Sequence, residues 1–512
     1  MELKPLFKDI ADAIREKDGT TDEIKAANFP ARIRAIQGGG GGGVTAETLE
    51  ITAPPDKTLY RPGDSFDPTG MAVWAELSNG YGVYVNHSDL TFGPAGPLEP
   101  GTDAVTVTFH WGDQTVSTAQ EINIVAGGYL YGFDINLSNS NPAARVSYPS
   151  DVDNAGFAAA KMNFGGSFSY GDWPDTPGED FMPRPCMLKF DGTVDYYLNP
   201  NDYTQKADGA ASDAANINYG GNAMMEWPKI YAKRWEENGV YHFRCSNVKL
   251  DADYECWCNY DKNNNEIPHF YTPIYFGSKD SSNRLRSISG QNNSINTTAT
   301  TEVNCAKANG DDWYIEVVAD RFLIQDLLVM MFKSTNLQAA AGYGVCNGSA
   351  IKPGTMNTRG MFWGANNQTS GVKVFGMENW WGNYNRRTAG FVCVNGTYKV
   401  KITKGTKDGT TVDDYNFDGS GYITLTDAVP TSNGYITSMK TKAFGRVPIT
   451  GGGSATTYEA DSLSYGTGYA YAGGHWAAST NNGPYAIAVD WPASNFGAYS
   501  GAAISCKPSA KE

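Results

Sequence analysis

The chain is short of positive charge. Its 512 residues hold 40 Lys and Arg against 55 Asp and Glu, a formal net charge of −15. It therefore lacks the basic footprint that neutralises phosphates, which argues against nucleic-acid binding. Charged residues of either sign make up only 19% of the chain, and no acidic run reaches five, so the excess is dispersed and serves solubility. Long apolar runs are missing too. A membrane-spanning helix needs about 18 or more such residues, and the most hydrophobic stretch, residues 322–332, is interrupted by Gln325 and Asp326; no membrane insertion is expected. The opening MELKPLFKDIADAIREKDG carries no apolar signal region, so secretion by that route is not expected.

Reactive-site signatures are equally scarce. The five histidines (His87, His110, His242, His269, His475) form no HxH or HExxH pair, which disfavours a histidine-built metal site. There is no GxSxG elbow. The eight cysteines all lie after residue 180, and Cys256-Trp257-Cys258 is a CxC without a second pair at zinc-finger distance. Buried free thiols are the expected state; one or two disulfides are the alternative if assembly ends outside a cell. No catalytic residue, no metal ligand and no cofactor is assigned, although the plentiful carboxylates leave a glycan hydrolase open until an acidic pair is sought in space.

What the chain does have is glycine, asparagine and aromatic residues: 58 Gly, 30 Tyr, 22 Phe and 12 Trp. That composition reads as β-rich and loop-rich. Leu3, Phe7, Ile10 and Ile14 form one narrow apolar seam of a short helix ended by Asp18-Gly19, and a second short helix is expected near residues 30–36, with Pro30 in its first turn. Such a hairpin (residues 1–37) is too small to stand alone and reads as a docking element or as a cap on the next domain. Six consecutive glycines at 38–43 mark a flexible linker, taken as residues 38–46.

Residues 47–126 alternate and turn like an all-β sandwich. LEITAP, GMAVWAEL, VYVNH, AVTVTFHW and QEINIVA are strand-like and separated by Pro, Gly, Asp and Asn turns. From Gly127 the composition shifts, and residues 127–512 read as one large domain with one long helix at about 319–333, apolar around most of its surface. In GMENWWGN (376–383) the paired Trp380 and Trp381 beside Gly and Asn suit a tight turn wedged into a core. Residues 414–421, DYNFDGSG, start like a calcium loop but have Leu425 where an EF-hand needs a bidentate Glu, so a hairpin turn is expected. Asp261-Lys262-Asn263-Asn264-Asn265-Glu266 is a weaker calcium-loop candidate.

These residues carry resemblances. Tyr60-Arg61-Pro62-Gly63-Asp64-Ser65-Phe66, Gly70-Met71-Ala72-Val73 and Asn79-Gly80 resemble bacterial immunoglobulin-like modules. GMENWWGN with Arg386-Arg387-Thr388-Ala389-Gly390, NAMMEWPKI (222–230), AFGRVP (443–448), Gly473-Gly474-His475-Trp476 and the closing GAAISCKP (501–508) resemble phage tail proteins with a C-type lectin-like fold of the formylglycine-generating-enzyme branch. The opening LKPLFKDIADAIREKDGTT is similar to the start of phage tail proteins. The fold implied is multidomain: a short N-terminal helical hairpin, an all-β immunoglobulin-like sandwich and a large α+β C-type lectin-like domain. The function implied is a non-enzymatic phage tail adhesin, carried on the virion and made in the host cytoplasm. Its partners would be a host surface glycan or protein and, through the N-terminus, baseplate or tail proteins; a homotrimer is the implied assembly. A virion-borne polysaccharide depolymerase and a purely structural tail protein are the alternatives. Some relatives of this class are diversified by retroelements in a C-terminal block, and residues 474–501 have the matching placement and composition. The receptor-binding residues assigned there are His475, Ala477, Ser479, Asn481, Asn482, Tyr485, Trp491, Asn495, Phe496 and Tyr499. Aromatic and small polar side chains supply contact area and adaptable hydrogen bonds at low entropic cost.

Overall fold

The computed structural model describes residues 3–18, 44–112, 114–124, 127–401 and 421–509. The expected second helix, the six-glycine run and residues 414–420 of the calcium-like loop lie outside them. Among the described residues the fold is mostly β-sheet, 37% strand against 10% helix, and the chain divides into two compact units, Met1–Gly127 and Gly128–Glu512.

The first unit begins with a helix, Leu3–Asp18, in which Ala11 and Ile14 are buried and Ile10 packs beside them. Two three-stranded antiparallel sheets follow: Ala46–Ala53, Ala72–Leu77 and Gly82–Val85 form one; Leu90–Gly93, Ala104–Trp111 and Gln114–Glu121 form the other. Both sheets turn one face to a common core, because strand side chains alternate. Val73, Ala75 and Leu77 from the first meet Val105, Val107 and Phe109 from the second. Each fully buried Val, Leu or Phe contributes roughly 1.5–3 kcal/mol relative to exposure. The strand Leu90–Gly93 is not anticipated by the strand-like runs, and Gln114–Glu121 is met by QEINIVA only at its last two residues; QTVSTAQE is almost wholly polar and small and is recruited by pairing with Ala104–Trp111.

The larger unit places three main sheets, of four, seven and nine strands, with a central helix, Val318–Phe332, whose 15 residues are all buried. It stops at Lys333, which takes a left-handed conformation and returns its N–H to Val329 O. The helix is not purely apolar. Asp320 pairs with Lys507 Nζ at 2.8 Å, Arg321 with Glu316 at 3.1 Å and Asp326 with Arg234 at 2.7 Å; Gln325 donates to Pro484 O at 2.7 Å. Each charge survives burial because its partner is buried with it, and removing one partner leaves the other uncompensated. The chain's last strand, Ile504–Cys506, inserts between His269–Pro273 and Trp313–Ile315 in the seven-stranded sheet. In the nine-stranded sheet, Ile487–Trp491 runs between Gly468–Ala472, antiparallel, and Ser462–Tyr465, parallel. Residues 474–486 and 492–499 are therefore the two loops at the ends of one interior strand.

Candidate functional site

The first of these loops is tightly held. Gly473 and Gly474 have φ of +89° and +76°, which only glycine adopts readily, and a Cβ on Gly474 would collide with the Asn482 side chain. Trp476 N donates to Asn383 O at 3.1 Å, Gly348 N to Trp476 O at 3.1 Å and Ser479 N to Cys346 O at 2.7 Å. A short 3-10 turn, Ser479–Asn481, follows. The second loop is anchored from behind: Arg387 Nη2 donates to Asn495 O at 3.2 Å, and Asn385 N to Tyr499 O at 2.9 Å. Ser500–Gly501 then joins Asn385–Arg386 as a parallel pair.

The loops meet at their aromatic residues. The Tyr499 ring lies 4.5 Å from His475 and 5.0 Å from Trp476, centroid to centroid. Beside them Trp491, Pro492, Asn495, Phe496, Gly497, Ala498 and Tyr499 line an open groove. Phe496 is 63% exposed and Tyr499 38%, and Ala477, Ser479 and Asn481 are exposed on the first loop. His475, Trp491 and Asn495 are half-buried. Burial lowers the His475 pKa, so its ring is neutral at pH 7. The result is an uncharged, aromatic, outward-facing patch on backbone fixed by the sheet.

Two assigned residues do not belong to that patch. Tyr485 is only 2% exposed and Asn482 fully buried. Tyr485 lies at the start of the turn into the interior strand, and its N–H donates to Asp461 Oδ2 at 2.7 Å. Asn482 sits under Gly474, gives its amide to His475 O at 3.3 Å and accepts at its own carbonyl from Gln338 Nε2 at 2.6 Å. Both hold the loop from inside and contribute nothing to its outer face; composition does not separate the inner side of a loop from the outer. Conversely, Trp476, Pro492 and Gly497 join the surface without having been assigned to it. The visible signal for Trp476 is its place directly after His475 in a Gly-Gly-His-Trp turn.

GMENWWGN lies inside. Trp380 and Trp381 are buried and meet edge-on at 6.3 Å; Trp381 Nε1 donates to Gly342 O at 3.0 Å, and the Arg321 guanidinium lies 4.3 Å from the Trp380 ring centroid. Glu378 accepts from Gly354 N at 2.7 Å and Met356 N at 2.9 Å, while Lys373 Nζ donates to Met356 O at 3.0 Å. Burial raises the Glu378 pKa and pushes Lys373 down to about 7. These two groups clamp the 354–356 loop.

Other candidate chemistry resolves similarly. All eight cysteines are free and buried, and burial lifts Cys346 and Cys393 to about 11, far from the low values of reactive thiols. Glu255, Cys256 and Glu266 bring donor atoms within 4.8 Å of one another. Their carboxylates are already engaged, Glu255 by Tyr260 and Glu266 by Lys229 at 2.9 Å and Tyr231 at 2.6 Å, and the Cys256 thiol is raised to about 12 by burial. Asp261 accepts from Asn263 N at 2.7 Å and Asn265 N at 2.9 Å, a turn in which the backbone uses the oxygens a calcium ion would need. Compared with protein-family models and with curated protein sequences, the chain matches none.

Proposed function

We propose that this chain is a phage tail adhesin that binds a bacterial surface receptor through the two loops around the strand Ile487–Trp491. In this reading the smaller unit's paired sheets are an immunoglobulin-like module and the larger unit is a C-type lectin-like domain. The N-terminal helix docks the chain to tail or baseplate proteins of the virion, and the assembly is a homo-oligomer, a trimer by resemblance. The observation that carries the reading is the open groove with Phe496 and Tyr499 at its surface, backed by His475 and Trp476. Exposed aromatic side chains on fixed backbone supply contact area without a large ordering cost. A shallow site of this kind binds weakly alone and gains strength from several copies on one particle, through effective concentration.

The groove residues include no carboxylate, so the groove offers no acidic pair at the ~5–9 Å separation that sugar hydrolysis uses. That favours binding over cleavage at this place. The test is adsorption of the purified full-length protein to a panel of bacterial strains, with Phe496→Ala and Tyr499→Ala alongside. Loss of binding by both variants at unchanged melting temperature supports the proposal; wild-type adsorption by both overturns it. Release of oligosaccharide from capsule would replace it with the depolymerase reading, and burial of the groove within the intact particle with the structural reading.

A further inference from the structure

Beneath the loops, among buried side chains only, lies a small cavity lined by Val318, Arg321, Phe322 and Gln325 of the central helix, by Thr388, Met439, Arg446 and Pro448, and by Ala472, Tyr485, Ala486 and Ile487. It gives the centre of a water-sized sphere about 10 Å³ in which to move, roughly the room that one such sphere requires. Three of the lining residues carry a buried polar atom without a hydrogen-bond partner among the described residues: Arg321 Nε, Arg446 Nη1 and the Tyr485 hydroxyl. All three side chains belong to residues more than nine-tenths buried. All three atoms are donors, and no carboxylate lines the cavity.

The charge around it is out of balance in one direction. Arg446 shares Glu459 with Arg145, at 2.7 and 3.3 Å. Arg321 shares Glu316 with Arg386, at 3.1 and 3.4 Å. Each triad has two guanidiniums on one carboxylate and so keeps one surplus positive charge, and each sends one guanidinium to the cavity. Asp326 is committed to Arg234. Asp461 is the remaining buried carboxylate acting on Arg321, and its oxygens accept from Gln338 Nε2 and Tyr485 N. With Asp461 ionised one net positive charge is left over, and the burial that raises the Asp461 pKa well above its ordinary value can only add to that surplus. An unpaired charge and unpaired donors in a desolvated interior are each costly, and desolvation pushes Arg321 down to about 10.

The geometry points to a structural anion site: a single chloride-sized, monovalent anion held by Arg321 Nε, Arg446 Nη1 and the Tyr485 hydroxyl. Charge-assisted donors of this kind suit a spherical anion, and the cavity has no room for sulfate or phosphate. The ion would tie the central helix to the strand Gly445–Gly451 and to the base of the 474–486 loop, which stand around the cavity. Water is the rival occupant, since it fits the same space and the Tyr485 hydroxyl can accept from it as well as donate.

Crystals of the full-length protein with bromide replacing chloride, measured at the bromine edge, separate the two. An anomalous peak between Arg321, Arg446 and Tyr485 is expected. Its absence, with bromide only at the surface, overturns the site and leaves water there. Thermal unfolding at constant ionic strength gives a second measurement: exchanging gluconate for chloride is expected to raise the melting temperature progressively, as for any ligand that binds only the folded state, and Tyr485→Phe to shrink that rise. Equal melting temperatures in the two salts at every ratio would count against the anion. The bromide measurement needs only the native chain, so it stands even if the variant fails to fold.

Discussion

Two segments of the larger unit share a composition and meet opposite fates. Residues 376–383, GMENWWGN, and residues 473–499 are both rich in Gly, Asn and aromatics. In the first, both tryptophans are buried, the indole N–H of Trp381 has a partner, and a cationic side chain covers the ring of Trp380. In the second, Phe496 and Tyr499 face outward while Tyr485, fourteen residues before Tyr499, is as buried as the tryptophans. The difference is position on the sheet. Trp380 and Trp381 lie just before the long strand Asn385–Val394 and pack into the main core. The second segment is a pair of loops at the ends of an interior strand, with one side to the core and one to solvent. Aromatic content alone therefore marks neither a core nor a binding face.

The comparison can be broken most directly at the tryptophans. Trp381→Ala is expected to cost ~3–5 kcal/mol, the usual loss for deleting a large buried aromatic, read as a lower denaturation midpoint; an unchanged midpoint would remove Trp381 from the core. Tyr485→Ala should also destabilise strongly, by about 3 kcal/mol or more on the same scale, whereas Tyr499→Ala should stay within about 0.5 kcal/mol, as surface substitutions do. Equal effects at the two tyrosines would erase the inner and outer sides drawn here. Gly474→Ala places a Cβ against Asn482 at positive φ; the backbone strain alone is about 1–2 kcal/mol, and a melting temperature equal to wild type would show that the loop repacks freely. Phe496→Ala is expected to leave stability alone and to weaken receptor adsorption about tenfold, equivalent to about 1.4 kcal/mol.

The smallest effect concerns pH. The folded-state pKa of His475 is lowered from 6.5 by burial. Between the two values the unfolded chain binds more protons, so stability rises with pH across that window and is lost as pH falls from 6.5 toward the folded pKa. His475→Gln should flatten that slope. An NMR titration showing an imidazole pKa at or above 6.5 would contradict the burial of the ring against Tyr499.

Part of this architecture was legible in the residues. The central helix expected at 319–333 is observed at Val318–Phe332, and the runs LEITAP, GMAVWAEL and AVTVTFHW lie on strands, because apolar periodicity reports which side is buried. Burial of the Trp380-Trp381 turn was also readable. The polar strand Gln114–Glu121 was not, since its partner rather than its own composition makes it a strand. In the 474–501 block the exposed aromatics were assigned together with Asn482 and Tyr485, because a loop has no period from which to read its inner side.

By itself, then, the sequence determined the β-rich, glycine-punctuated character of the chain, its acidic and lightly charged surface, and the long apolar helix at its centre. These follow from composition and local pattern. The tertiary structure alone decided which carboxylate meets which guanidinium around that helix, that Tyr485 is buried and Tyr499 exposed, and that Arg321, Arg446 and Tyr485, each with an unpartnered polar atom, line one cavity. Such facts depend on contacts between residues as far apart as Arg145 and Glu459. No local pattern encodes them, because the desolvation that gives each pair its value exists only once distant segments have packed together.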